Sequence, residues 1–230
     1  MSTVHRHNPL LRSKLMTLLR QADAEAMANF LSALSVSDFR TAGFLLSEEV
    51  LPTSEEQTFW TFFVAIVPLH PKAYLGTFLK ACVSMYRRHR LSLSTEALQA
   101  FAASCTPIDR KKILETLLPV MHTSDEVGLL IQLFCREETN APLIYLIKAH
   151  TVQAYYQLFL RLKKEETSTV RSCILSLMKM NDALSFNMAS LMKRYFDIPN
   201  VPGSFSLQVN DYELSRMDQG YDAFVKMLKR

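Results

Sequence analysis

Histidine and cysteine are the side chains best suited to binding a metal or acting as acid, base or nucleophile near neutral pH. The chain has 6 of the first and 4 of the second among 230 residues. Their spacing offers little chemistry. Cys82, Cys105, Cys135 and Cys173 are separated by 23, 30 and 38 residues, with no C-x-x-C and no C-x-x-x-H. Zinc sites and disulfide frameworks normally show at least one close pair. Each cysteine falls in an apolar helical pattern, so reduced, buried thiols are expected, in a reducing compartment such as the cytoplasm. His5 and His7 form the one close histidine pair. Two ligands on a chain terminus make a poor metal site. His70, His89, His122 and His150 stand singly at predicted helix ends, where a cation meets the negative end of the helix dipole. No metal, no cofactor and no catalytic residue is assigned.

Carboxylates occur as the adjacent pairs Glu48-Glu49, Glu55-Glu56, Asp125-Glu126, Glu137-Glu138 and Glu165-Glu166. Neighbours on a helix point ~100° apart, so such pairs do not converge on a reacting atom. The absence of E-x-x-H and H-E-x-x-H disfavours helical di-iron and zinc enzymes. Glycine numbers only 5. No G-x-G-x-x-G, G-x-x-x-x-G-K-[ST] or G-x-S-x-G is present, so neither a phosphate-cradling loop nor a nucleophile elbow is signalled. The balance leans away from an enzyme.

Basic residues are more suggestive. The net charge is +4, and residues 57–95 contain Lys72, Lys80, Arg87, Arg88 and Arg90 without a single acid. Three groups stand out: Arg87, Arg88 and Arg90; Lys111 and Lys112 after Arg110; and Lys163 and Lys164 after Arg161. At a helix C-terminus such residues compensate the dipole or solvate the end. Together on one face they would bind a phosphate, a nucleic acid or an acidic protein partner. These seven residues are the candidate contact residues.

The elements that position them are helical. The chain has 34 Leu and 11 Met against 21 Val plus Ile. Few glycines and many unbranched apolar residues favour helix over sheet. Helix starts are marked by Asn8-Pro9, by Ser35 before Asp38, by Thr53-x-x-Glu56, by Thr106-Pro107-x-Asp109, by Thr123-x-x-Glu126 and by Asn210-x-x-Glu213. About 12–13 helices follow, paired into hairpins that begin near 9, 37, 71, 107, 140 and 167. The steps of 27–36 residues suit an all-α stack of helical hairpins, an α-solenoid at the scale of HEAT or tetratricopeptide repeats. An irregular multi-helix bundle is the alternative, because no repeat motif is present. Apolar residues span an arc of roughly 200° in 59–67, and 152–162 does likewise, wider than a surface helix needs, which places both helices between neighbours.

Residues 1–196 read as one helical-repeat domain, 197–209 as a Pro/Gly/Ser linker, and 210–230 as an amphipathic helix capping the same domain. The longest apolar run, Phe59 to Leu69, has 11 residues, too few for the ~20 of a membrane span. The N-terminal segment 1–22 is basic without an acid, as a mitochondrial presequence would be. Its leucines spread too widely for a clean polar face, so a first core helix is expected. The functional expectation is a non-enzymatic scaffold that binds a protein or peptide. The alternative is a helical-repeat protein, even a DNA-acting enzyme, that grips nucleic acid through its basic groups. Oligomeric state stays open.

Overall fold

Short-range caps set where the helices begin. In the computed structural model, which describes residues 8–69, 71–135, 141–199, 201 and 210–229, the Asn8 side chain accepts from the Leu11 amide ahead of Pro9. Thr106 with Asp109, Thr123 with Glu126, and Asn210 with Glu213 each form a reciprocal capping box. Ser35 accepts from the Asp38 amide at 3.2 Å, and one marked start alone departs from expectation. Thr53 and Glu56 form no box: the Thr53 hydroxyl donates back to the Val50 carbonyl at 2.8 Å, and the helix begins only at Glu56. The cause lies upstream, where a π turn over Leu46–Val50 and a 3-10 turn over Leu51–Thr53 extend the preceding helix past the box.

The fold is all-α, with no strand among the described residues. Packing divides the chain into two compact units, 1–120 and 121–230, where the sequence suggests one domain over 1–196. The first unit holds α1 (Pro9–Arg20), α2 (Ala24–Ser32), α3 (Val36–Leu45), α4 (Glu56–Ile66), α5 (Pro71–Arg87), α6 (Thr95–Ser104) and α7 (Pro107–Leu117). Within it α1 packs on α3, α2 on α4, α3 on α5, α4 on α6 and α5 on α7. Each helix thus meets the helix two further along. The π turn sits against both α1 and α5. Its two acids part accordingly: Glu49 pairs with Arg12 of α1, and Glu48 pairs with Lys80 of α5.

The core of this unit is aromatic. Phe59, Trp60 and Phe63 of α4 meet Phe78 of α5 and Phe101 of α6, with ring centroids 5.0–5.8 Å apart for the contacts of Phe63 with Trp60, Phe78 and Phe101. The Trp60 indole nitrogen donates to the Ser92 carbonyl at 3.0 Å, which satisfies its one polar atom. α4 buries Phe59, Trp60, Phe62, Phe63 and Ile66, but Val64 faces outward, 37% exposed.

The second unit holds α8 (Ser124–Phe134), α9 (Ala141–Ala149), α10 (Val152–Leu162), α11 (Thr167–Met178), α12 (Ala183–Tyr195), α13 (Asp211–Ser215) and α14 (Tyr221–Leu228). Here α8 packs on α10, α9 on α10 and α11, and α11 on α12. The final helix α14 lies against α10 and α12. Phe159 of α10 sits amid Tyr195, Phe196 and Phe224. Leu160 of α10 points outward, as Val64 does in α4.

The last predicted helix, 210–229, is broken in two. Gly220 has φ 128° and ψ −175°, so α13 passes through a 3-10 turn, stops, and α14 starts anew. That conformation is open to glycine and to almost nothing else, which is why the interruption falls there. Most of the expected linker, 202–209, lies outside the described residues, as do His5, His7, His70, Glu137 and Glu138.

Elsewhere helices end on left-handed residues that are not glycine. Ala22, His89, His150, Asn181 and Asp197 have φ between 47° and 55°. At three of these ends the amides make the paired bonds of a Schellman motif. Ala22 and Asp23 donate to Leu19 and Leu18, His89 and Arg90 to Tyr86 and Met85, and Asp197 and Ile198 to Arg194 and Lys193. A non-glycine residue there costs about 1 kcal/mol, which the two added hydrogen bonds offset.

Candidate functional site

All four cysteines are free thiols, and Cys82, Cys105 and Cys173 are buried; Cys135, just past the end of α8, is only half-buried. Burial pushes the Cys82 and Cys105 thiols up to about 12 and Cys173 to about 11. Such thiols stay protonated near neutral pH and are poor nucleophiles. Among the described residues no group of three or more His, Cys, Asp or Glu is placed to hold a metal ion.

One cluster has the residue types of a hydrolase. His150 follows α9, Tyr155 lies on α10, and Asp182 caps α12, whose third residue is Ser185. The Ser185 hydroxyl donates to Asp182 Oδ2 at 2.7 Å and lies 2.7 Å from the Tyr155 hydroxyl. His150 Nδ1 is 2.9 Å from that tyrosine oxygen and 3.3 Å from Ser185 Oγ, while Nε2 is 3.4 Å from Asp182 Oδ1. The roles differ from a catalytic triad. There the histidine bridges serine and carboxylate; here the carboxylate accepts the serine hydrogen bond directly. Ser185 and Tyr155 are wholly buried, so no substrate carbonyl reaches them. Burial pushes the Tyr155 hydroxyl up to about 12, with the nearby Asp182 charge adding to it and the Ser185 bond opposing. Burial also works to raise Asp182, but hydrogen bonds from the Ser185 amide and hydroxyl, together with the His150 charge, hold it below the usual carboxylate value. The cluster joins three helices through satisfied polar groups.

The candidate basic residues do not gather. Arg87, Arg88 and Arg90 lie exposed at the end of α5, where Arg90 closes the Schellman turn. The Arg90 guanidinium donates to the Pro52 carbonyl at 2.8 Å, tying that turn to the 3-10 segment. Lys111 and Lys112 are exposed on α7, which packs on α5. Lys112 Nζ comes within 2.8 Å of where a Cβ on Gly76 would stand, so its stem crosses α5 over the glycine. Gly76 and Arg87 are eleven residues apart, about 16 Å along the axis at 1.5 Å per residue. These two groups therefore sit well apart along α5. Lys163 belongs to the second unit and is committed internally. Its ammonium pairs with Asp218, whose two oxygens also accept from Tyr195 at 2.8 Å. The hydrogen bond to Asp218 raises Lys163 from its ordinary value. Lys164 is exposed beside it.

The most apolar of the surface cavities described lies at the start of α5 and α7. A cavity of about 600 Å³ opens there, lined by Leu69, Pro71, Ala73, Pro107 and Ile108, with Lys72 and Asp109 at its edge. The volume falls within the range of ligand pockets. Leu69 is 55% exposed and Ile108 is 79% exposed. Thr106 and Asp109 form the α7 capping box: Asp109 Oδ2 accepts from the Thr106 amide at 3.2 Å and its hydroxyl at 2.7 Å. That turns the one carboxylate of the cavity inward, and Asp109 is only 8% exposed.

This groove escapes a reading based on charge and motif, because its signal is an apolar residue on the wrong side of a helix. At ~100° per residue Ile108 falls roughly 170° from the Ile113, Leu114 and Leu117 stripe that α7 buries. Leu69, between Pro68 and the start of α5, carries no such signal. Compared with known proteins, the chain matches no family model, no curated protein and no solved structure.

Proposed function

We propose that the chain is a non-enzymatic helical scaffold that binds a protein partner through the groove at the start of α5 and α7. The observation that carries this reading is the groove itself: two exposed aliphatic side chains, Leu69 just ahead of α5 and Ile108 in the first turn of α7, at an apolar cavity. Exposed apolar surface gathered in a concavity marks an interaction site far more often than scattered exposed residues do. The one Ser/His/Asp cluster supports the same reading, since its hydroxyl is buried and its carboxylate is occupied by the serine. In the first unit, the stepwise packing of each helix on the helix two further along suits a stacked-hairpin scaffold, whose repeated surface serves binding. Buried free thiols suit a reducing compartment such as the cytoplasm. No helix among the described residues is long and apolar enough to cross a membrane.

The test is a peptide-display selection on the purified chain, followed by fluorescence anisotropy on the recovered sequences. Binding that is lost on Ile108→Asp and kept on Arg87→Glu supports the groove. Recovered peptides that bind the Ile108→Asp variant equally well overturn it. So does a mobility shift with duplex DNA at ~50 mM salt that needs the arginines.

A further inference from the structure

We infer that the groove takes an acidic amphipathic segment of a partner protein, with aliphatic side chains in the cavity and carboxylates on Lys72 and Lys112. This rests on the scaffold reading above and names the chemistry of the partner.

Lys72 lines the groove, and the one carboxylate in the lining, Asp109, is turned into its own capping box. Lys72 is exposed in the first turn of α5. Gly76 stands four residues on, one turn along the same face. Lys112 Nζ lies over that glycine. The two ammonium groups thus share one strip of α5. On α7, Ile108 and Lys112 are also four residues apart and share a face. The strip therefore runs from an exposed aliphatic side chain to a lysine on each helix.

Neither lysine has an ion-pair partner among the described residues. The contrast within the first unit is direct: Lys80 is paired with Glu48, and Arg12 with Glu49. Residues 57–95 supply no acid to neutralise Lys72. Asp109, the one carboxylate at the cavity, is held by the Thr106 amide and hydroxyl. Lys72 in the lining of an apolar cavity, with Lys112 on the same face of α7 as Ile108 and neither lysine in an ion pair among the described residues, complements a ligand that brings both an aliphatic anchor and a carboxylate.

The probe is a labelled synthetic helix of about 15 residues, long enough to be partly helical alone. It carries leucine at i, i+3, i+4 and i+7, with glutamate at the flanking positions. Two further peptides replace every glutamate by glutamine or by lysine. The expected order of affinity for the intact chain is glutamate, then glutamine, then lysine. The step from glutamate to glutamine should be about fivefold for two exposed pairs, and should shrink at high salt. The double variant Lys72→Glu with Lys112→Glu should reverse the order, with the lysine peptide binding best. Both positions are exposed, and a thermal melt reports that the variant is folded. Equal affinity for the glutamate and glutamine peptides overturns the acidic assignment. The groove reading then survives if Ile108→Asp still abolishes binding. Failure of all three peptides to bind overturns both. Co-sedimentation with phosphatidylserine vesicles that exceeds peptide binding assigns the strip to a membrane surface and overturns the protein partner.

Discussion

The two units handle their chemistry in opposite ways. In the second, several charged and polar side chains are paired with one another. Asp182 is held by Ser185 and His150, Asp218 by Lys163 and Tyr195, and the aromatic rings of α10, α12 and α14 close over Phe159. In the first, the core is just as aromatic, but the starts of α5 and α7 are left with bare leucine, isoleucine and lysine. Groups satisfied inside the chain stabilise the fold. Groups left unsatisfied at a rigid surface are available to something else. The difference directs the search for function to the first unit, although the second has the more suggestive residue types.

The sharpest way to break this contrast is to remove a piece of each. Phe159→Ala empties the centre of the second aromatic cluster and should cost about 3–5 kcal/mol in urea denaturation, as buried Phe→Ala changes do. A loss under ~1 kcal/mol would mean that the cluster is loosely packed. Ser185→Ala leaves the Asp182 oxygen and the Tyr155 hydroxyl short of a partner, and should cost about 1–3 kcal/mol. An unchanged stability would remove the structural role assigned to the cluster.

Acid should expose the second unit next. Asp182 and Asp218 are held below the ordinary carboxylate value. For such groups the stabilisation is present above the unfolded pKa, about 4 for Asp, and is lost as pH falls through the lower folded value. Melting temperature should therefore drop from about pH 4 downward, modestly, because both side chains are about a third or more exposed. Asp182→Asn and Asp218→Asn should flatten that drop. If they leave the profile unchanged, the acid sensitivity lies elsewhere.

The smallest effect concerns helix ends. Ala22 is exposed and left-handed, so Ala22→Gly should raise stability by up to about 1 kcal/mol. No gain, or a loss, would show that the Schellman turn does not strain the alanine.

Most of the helices were legible because the signals are local. Thr106 and Asp109 meet across three residues, as do Thr123 with Glu126 and Asn210 with Glu213, and no distant packing decides them. Thr53 with Glu56 looks the same on paper, yet the π turn ahead of it takes the threonine hydroxyl. The left-handed ends at Ala22, His89 and Asp197 were illegible because glycine is the usual marker and is absent there. The polar cluster joins residues up to 35 apart, so no window on the sequence brings His150 to Ser185. Lys112 was visible as a candidate, but its place beside Lys72 depends on where α7 crosses α5 over Gly76. Leu69 and Ile108 were invisible as a pair for the same reason.

The central claim, that the first unit's groove receives the partner, is tested most directly by anisotropy of the labelled leucine-glutamate peptide against the intact chain and Ile108→Asp. Ile108 is 79% exposed, so the variant should melt within ~0.5 kcal/mol of the parent. Its affinity for the peptide should fall by about tenfold or more, as for an anchor in a pocket. Equal binding by the two chains would contradict the account.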